Sequence, residues 1–242
     1  GLVSVSVVAA ALGSLRRRPY RRDLVWLSWG LVAGVIGQIV LGGITVLGEL
    51  NPIAVSGHFV LSMLLVTDAV VLLWRAGQAV GPRRPIVGRT DLLLSRLAVT
   101  AAAVLMVTGP AVTGTGPHAG DAEAHRFPWF LPDVVRVHSL NMWAFLVVLV
   151  VLMVRLARGG APAAVIRRGS RLLLVVVAQG AIGYTQYELG IPAWLVLLHI
   201  AGATAVLSLT VWFHLGLSAP VAGDDGAGRS TPGAADAVTA AA

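Results

Sequence analysis

The chain has 242 residues, of which 57% are hydrophobic and only 12% charged, with a mean hydropathy of +0.83. A soluble domain carries roughly twice that charged fraction, so the excess apolar surface needs lipid and a water-soluble globular enzyme is excluded. The net charge of +7 lies in short clusters between apolar runs, where it orients helices in a bilayer rather than following nucleic acid, and the absence of cysteine rules out disulfides and thiolate chemistry.

Residues 1–14 are apolar but too short to cross a membrane alone, and they run directly into Arg16, Arg17 and Arg18. A secretory signal carries its charges ahead of its apolar region. The segment is therefore expected to be the second half of a helix whose beginning is absent. Six stretches are then long and apolar enough to span: 24–47, 52–74, 93–114, 132–155, 171–188 and 192–217. The connections 16–22, 75–89 and 155–171 are basic. Those at 48–51 and 188–191 carry no Lys or Arg, and 115–131 carries only Arg126. This asymmetry predicts that the basic side is cytoplasmic and that the chain ends inside. The tail, 218–242, is rich in Ala, Gly, Asp and Thr and is expected to be disordered.

Two segments match. Gln38, Gly42, Asn51-Pro52 and His58 recur as Gln179, Gly183, Ile191-Pro192 and His199, with Gln twenty residues before His each time. A Pro opens each His-bearing helix, where its missing N–H costs little. Each unit reads as a helix, a tight turn and a helix with His about two turns inside. If the repeat is a half-protein, the architecture is all-α: a polytopic membrane helix bundle with pseudo-symmetric four-plus-four helices. Its first helix and part of its second are then expected to be missing. The N-terminal half-bundle would be 1–74, the cytoplasmic linker 75–92 and the C-terminal four-helix half 93–217.

His58, His138 and His199 fall inside spans, one to two turns from the same surface. Ionisable residues at membrane depth are costly and usually functional, and a common depth favours a shared ligand over separate interhelical hydrogen bonds. Small residues accompany two of them: Gly202 and Ala203 beside His199, Ala54 and Ser62 beside His58. That pattern would admit a flat, bulky group, although it would equally permit close helix packing. Zinc is disfavoured because no carboxylate or Cys accompanies these histidines at that depth. Haem needs only axial imidazoles and an apolar slot. His118 and His125 in the loop, and His214 near the far end of the last helix, read as solvated or interfacial. Asp68 has no evident partner.

The assembled residues resemble the heme A synthase family, particularly its actinobacterial branch. The resemblance rests on Leu41-Gly-Gly-Ile-Thr-Val-Leu, Leu50-Asn-Pro, Gly57-His-Phe-Val-Leu-Ser-Met and Thr113-Gly-Thr-Gly-Pro-His-Ala-Gly-Asp. It continues with Val137-His138 and with Gln179-Gly-Ala-Ile-Gly-Tyr through Pro192-Ala-Trp-Leu to His199. It covers about residues 1–217.

The resemblance implies an eight-helix bundle in which His138 and His199 ligate a b-type haem (bis-His) in the C-terminal half. His58 would be the surviving ligand for the substrate, haem O, with its partner His and the family's Glu-x-x-His carboxylate falling before residue 1. The implied reaction oxidises the C8 methyl of haem O to the formyl of haem A. The implied setting is a bacterial plasma membrane, with haem O synthase and terminal oxidase as partners. Arg126 and Arg136 could pair with haem propionates, as readily as remain solvated. No disulfide-based redox role is implied, and the 242 residues alone are expected to be inactive. Two other readings stay open: a b-type cytochrome that only transfers electrons, and a small-solute transporter built from repeats.

Overall fold

A computed structural model describes residues 1–117 and 124–221. His118 and the tail beyond Val221 lie outside the described residues. Among these residues the chain forms seven helices: α1 (Leu2–Arg16), α2 (Arg22–Leu47), α3 (Pro52–Ala76), α4 (Arg89–Thr115), α5 (Leu131–Arg158), α6 (Ala163–Glu188) and α7 (Ala193–Leu215). Two three-residue strands, β1 (Arg83–Pro85) and β2 (Ser218–Pro220), pair antiparallel. The protein is an all-α bundle with multi-pass membrane character. Five helices, α2, α3, α4, α5 and α7, are long and apolar enough to cross a bilayer. At about 1.5 Å per residue, the 26 residues of α2 reach roughly 39 Å, more than a hydrocarbon core of about 30 Å needs.

The sixth expected span, 171–188, forms as helix but is less apolar than the other five. α6 is as long as α2, yet its first turns carry Arg167, Arg168 and Arg171, and its last turns carry Gln179, Tyr184, Gln186 and Tyr187. Those last four line an internal cavity. Gln179 and Gln186 are partly buried there, while Tyr184 and Tyr187 remain exposed on their outer sides.

Local chemistry starts and stops the helices. Asn51 caps α3, accepting from the N–H of Ile53 at 3.0 Å, with Pro52 in the first turn. The turns before α3 and α7 are the same structure. In each, two consecutive residues adopt positive φ: Glu49 (52°) and Leu50 (57°), then Gly190 (73°) and Ile191 (60°). In each, the second of these donates to a carbonyl five residues back, Leu50 to Thr45 at 2.9 Å and Ile191 to Gln186 at 2.7 Å. One constant offset carries Gln38, Gly42 and His58 onto Gln179, Gly183 and His199. In that register the prolines are displaced by one residue, so Pro52 opens α3 while Pro192 caps α7.

The repeat extends to packing. α1 packs on α2 and α2 on α3, as α5 packs on α6 and α6 on α7; α3 then lies against α7 and α4. Helices α4 to α7 close into a ring and bury a common core that includes Ala102, Phe145, Leu149, Leu172 and Phe213. The antiparallel order gathers the arginines at one end. There Trp74 stacks edge-on against Trp212 at 4.7 Å, with the Arg168 guanidinium 5.1 Å from its ring centre. The strand pair ties the α3–α4 connection to the chain leaving α7, so residues 218–220, expected as the start of a disordered tail, are held in a ladder.

Candidate functional site

A cavity of about 490 Å³ opens inside the α4–α7 ring and reaches α3. That lies within the range of small-molecule and cofactor sites. Its walls are mostly apolar, and two imidazoles enter from opposite sides: His138 on α5 and His199 on α7. Their ring centres are 6.5 Å apart and their planes lie at 66°.

Each imidazole is seated by its neighbouring helix. The Nδ1 of His138 pairs with the Thr108 hydroxyl of α4 at 2.8 Å. That contact orients the ring and leaves Nε2 for a ligand. A glycine backs it: a Cβ at Gly109 would stand 3.7 Å from Cε1 of His138. On the other side, a Cβ at Gly183 would stand only 3.0 Å from Cε1 of His199, so nothing larger than glycine fits without moving the ring. Gln179 donates from Nε2 to the His199 carbonyl at 2.7 Å, fixing the backbone that carries the ligand. The Nδ1 of His199 is buried without a partner among the described residues.

The same seat exists once more. Gln38 donates to the His58 carbonyl at 3.1 Å, and a Cβ at Gly42 would approach Cε1 of His58 to 3.3 Å. Gln38 also donates to Ser62 at 2.6 Å, a bond with no counterpart in the second unit, where that position is Ala203. His58 faces α2 and lies outside the cavity, whereas the next residue, Phe59, lines it. Thus two of the three predicted histidines meet, and His58 is held apart with no second histidine opposite it among the described residues.

The remaining sequence candidates sort cleanly. Arg136 lines the cavity and pairs with Asp133 at 3.2 Å. Arg126 does not line it; its guanidinium caps the end of α4, donating to the carbonyls of Gly116 (2.8 Å) and Pro117 (3.0 Å). Beside it Phe127 folds back over Gly114 and stacks on Trp129. His125 makes an exposed contact with Glu49 at 3.8 Å, and His214 pairs with Ser95 at 2.9 Å across α4 and α7. Asp68 has a buried Oδ1 without a hydrogen-bond partner among the described residues. It lies against α2, where a Cβ at Gly30 would come within 2.9 Å of its Oδ2. Gly202 accommodates the Gln179 side chain rather than a ligand on the His199 face, while Ala203 lines the cavity.

Sequence reasoning missed Thr108 and Gly109. Their partnership with His138 depends on the register of α4 against α5, which no local pattern encodes.

Chemically, the arrangement offers two imidazole nitrogen donors across an apolar slot. Two imidazoles on opposite sides of one metal, each bonded at about 2 Å, have ring centres roughly 6–6.5 Å apart. The observed spacing of 6.5 Å is close to that separation. Among the described residues no cluster of three or more His, Asp or Glu could hold a metal ion. The chain matches no protein-family model and no curated protein.

Proposed function

We propose that this chain is a membrane oxidoreductase of the heme A synthase type, taking the C8 methyl of haem O to a formyl group. The observation that carries the reading is the opposed pair His138 and His199, 6.5 Å apart across an apolar cavity. Such a pair suits axial ligation of a haem b, which would supply one-electron transfer. Thr108 and Gln179 hold the two ligands in place, and Gly109 and Gly183 keep the slot open. The apolar lining of α4 to α7 would exclude water, and Arg136 at the mouth would meet an anionic edge of the bound group.

His58, in the matching seat of the first unit, would ligate or orient haem O on the far side of α3. Only α3 would then separate the two groups. In this reading the basic end is cytoplasmic, the membrane is a bacterial plasma membrane, and the chain leaves α7 on the cytoplasmic side. Haem O synthase and terminal oxidase would stand before and after it in the same membrane.

A second reading, a b-type cytochrome serving only electron transfer, rests on the same opposed pair of histidines. A reduced-minus-oxidised spectrum of the purified protein tests the shared premise. A b-type signal is expected, and it should vanish in His138→Ala and in His199→Ala. A colourless, folded parent would overturn both readings. Chromatography of the extracted pigment separates them: haem A or hydroxylated haem O supports the synthase, and haem b alone supports the carrier.

A further inference from the structure

A second cavity, of about 270 Å³, lies at the arginine-rich end, where the start of α2 meets the last turn of α3 and the loop that follows. Its walls carry three arginines, Arg21, Arg75 and Arg83, and a single carboxylate, Asp23. Their donors are unequally committed. Arg21 is almost fully buried and spent: Nε and Nη2 each reach Asp23 at 2.8 Å, Nη1 reaches the Gln78 carbonyl at 3.1 Å and Nη2 the Arg75 carbonyl at 3.2 Å. This bidentate pair neutralises Asp23.

Arg75 comes no closer to Asp23 than 3.6 Å, and its side chain is half exposed. Arg83 donates from Nη1 to Gln78 Oε1 at 3.1 Å and from Nη2 to the Ser218 carbonyl. A guanidinium has five N–H donors, so among the described residues each of these terminal nitrogens keeps one free. Trp74, on the same wall and 7% exposed, has its indole N–H buried without a partner among the described residues. The carbonyls ending α3 would repel an anion, but they are covered. Besides Arg21, Arg17 donates to the Ala76 carbonyl at 3.0 Å.

We infer that this cavity is a binding site for a phosphate group, with Arg75 and Arg83 as its two charges not neutralised among the described residues. Its place at the helix ends, among tryptophans and arginines, is headgroup level. Basic recesses between spanning helices at that depth suit anionic lipid phosphates. The inference is independent of the reading of the histidine cavity.

The full chain, purified in mild detergent, would be offered equal phosphatidylglycerol and phosphatidylcholine, and retained lipid counted by native mass spectrometry. The parent should keep phosphatidylglycerol by about tenfold over phosphatidylcholine, and Arg75→Gln/Arg83→Gln should lose that preference with unchanged helical circular dichroism. Arg75→Gln alone, which disturbs only a half-exposed side chain, serves if the double variant does not fold, and should lose part of the preference. If the parent shows no lipid preference but inorganic phosphate raises its Tm and not the variant's, the site takes free phosphate and the inference stands. It is overturned if neither probe distinguishes parent from variant, or if the folded variant keeps the full lipid preference.

Discussion

The first unit, α1 to α3, and the second, α5 to α7, contain the same histidine seat but differ in what surrounds it. In the most apolar window of α3 only 11% of residues are buried, against 28% in its counterpart α7. Around the second seat the enclosing element is α4. It closes the second unit into a ring, contributes Thr108 and Gly109 behind His138, and completes the cavity walls. Among the described residues nothing does this for His58. A Gln and a Gly in the right register place an imidazole in both units; a second imidazole and an enclosing helix are described only around His199.

The largest test of that difference removes the imidazoles one at a time. On the haem reading proposed above, His199→Ala should lower haem retention by more than about tenfold, because one of the two imidazoles that would hold the group is lost. His58→Ala should leave the b-type spectrum of the second unit at full intensity. Equal losses in both variants would contradict the separation of the two seats.

A smaller change asks whether the glycine under each ring matters in the same way. Gly183→Ala places a methyl 3.0 Å from the His199 edge, and Gly42→Ala places one 3.3 Å from His58. Overpacking of this kind costs about 1–3 kcal/mol where neighbours cannot yield. Gly183→Ala should lower haem occupancy severalfold, measured as the haem-to-protein absorbance ratio, while Gly42→Ala leaves it unchanged. A normal ratio in Gly183→Ala would show that the ring can move.

Much of this arrangement could be read along the chain. The apolar runs located α2, α3, α4, α5 and α7 to within a few residues, because lipid demands long uninterrupted spans. The Gln–His repeat located both seats, since it repeats at fixed spacing in contiguous hairpins. What escaped depends on contacts between distant segments. Thr108 meets His138 across thirty residues, and β1 meets β2 across more than a hundred. α6 is less apolar than the other long helices because Arg167, Arg168 and Arg171 open it and Gln179 and Gln186 lie near its end, where they line the cavity. Arg126, placed near the ligand by its position in the loop, instead satisfies carbonyls at the end of α4, as a helix terminus requires. His58 and Phe59 are adjacent, yet about 100° of helical rotation puts them on different sides of α3.

Thr108→Val probes the contact to His138 without changing side-chain size. It removes one hydrogen bond to the ring, a loss of about 1 kcal/mol, so haem should still bind. The readout is the reduction potential of the bound haem, because outer contacts to a ligating imidazole set its orientation and basicity. The potential should move in Thr108→Val and stay in place in Ser62→Ala, whose hydroxyl serves only the first unit. Identical potentials in both variants would make Thr108 a packing residue.

The smallest expected effect compares the two glutamines. Gln38 donates to both the His58 carbonyl and the Ser62 hydroxyl, whereas Gln179 donates to the His199 carbonyl alone. At about 1 kcal/mol per hydrogen bond, Gln38→Ala should destabilise the apoprotein more than Gln179→Ala, read as the larger fall in Tm. The order should reverse with haem bound, because only Gln179 supports a ligand of the opposed pair and bound ligand adds its binding free energy to the stability of the fold. The reversal is the informative part. A fixed order in both states would mean that Gln179 holds α6 to α7 without tuning His199, and that the two seats differ only in their surroundings.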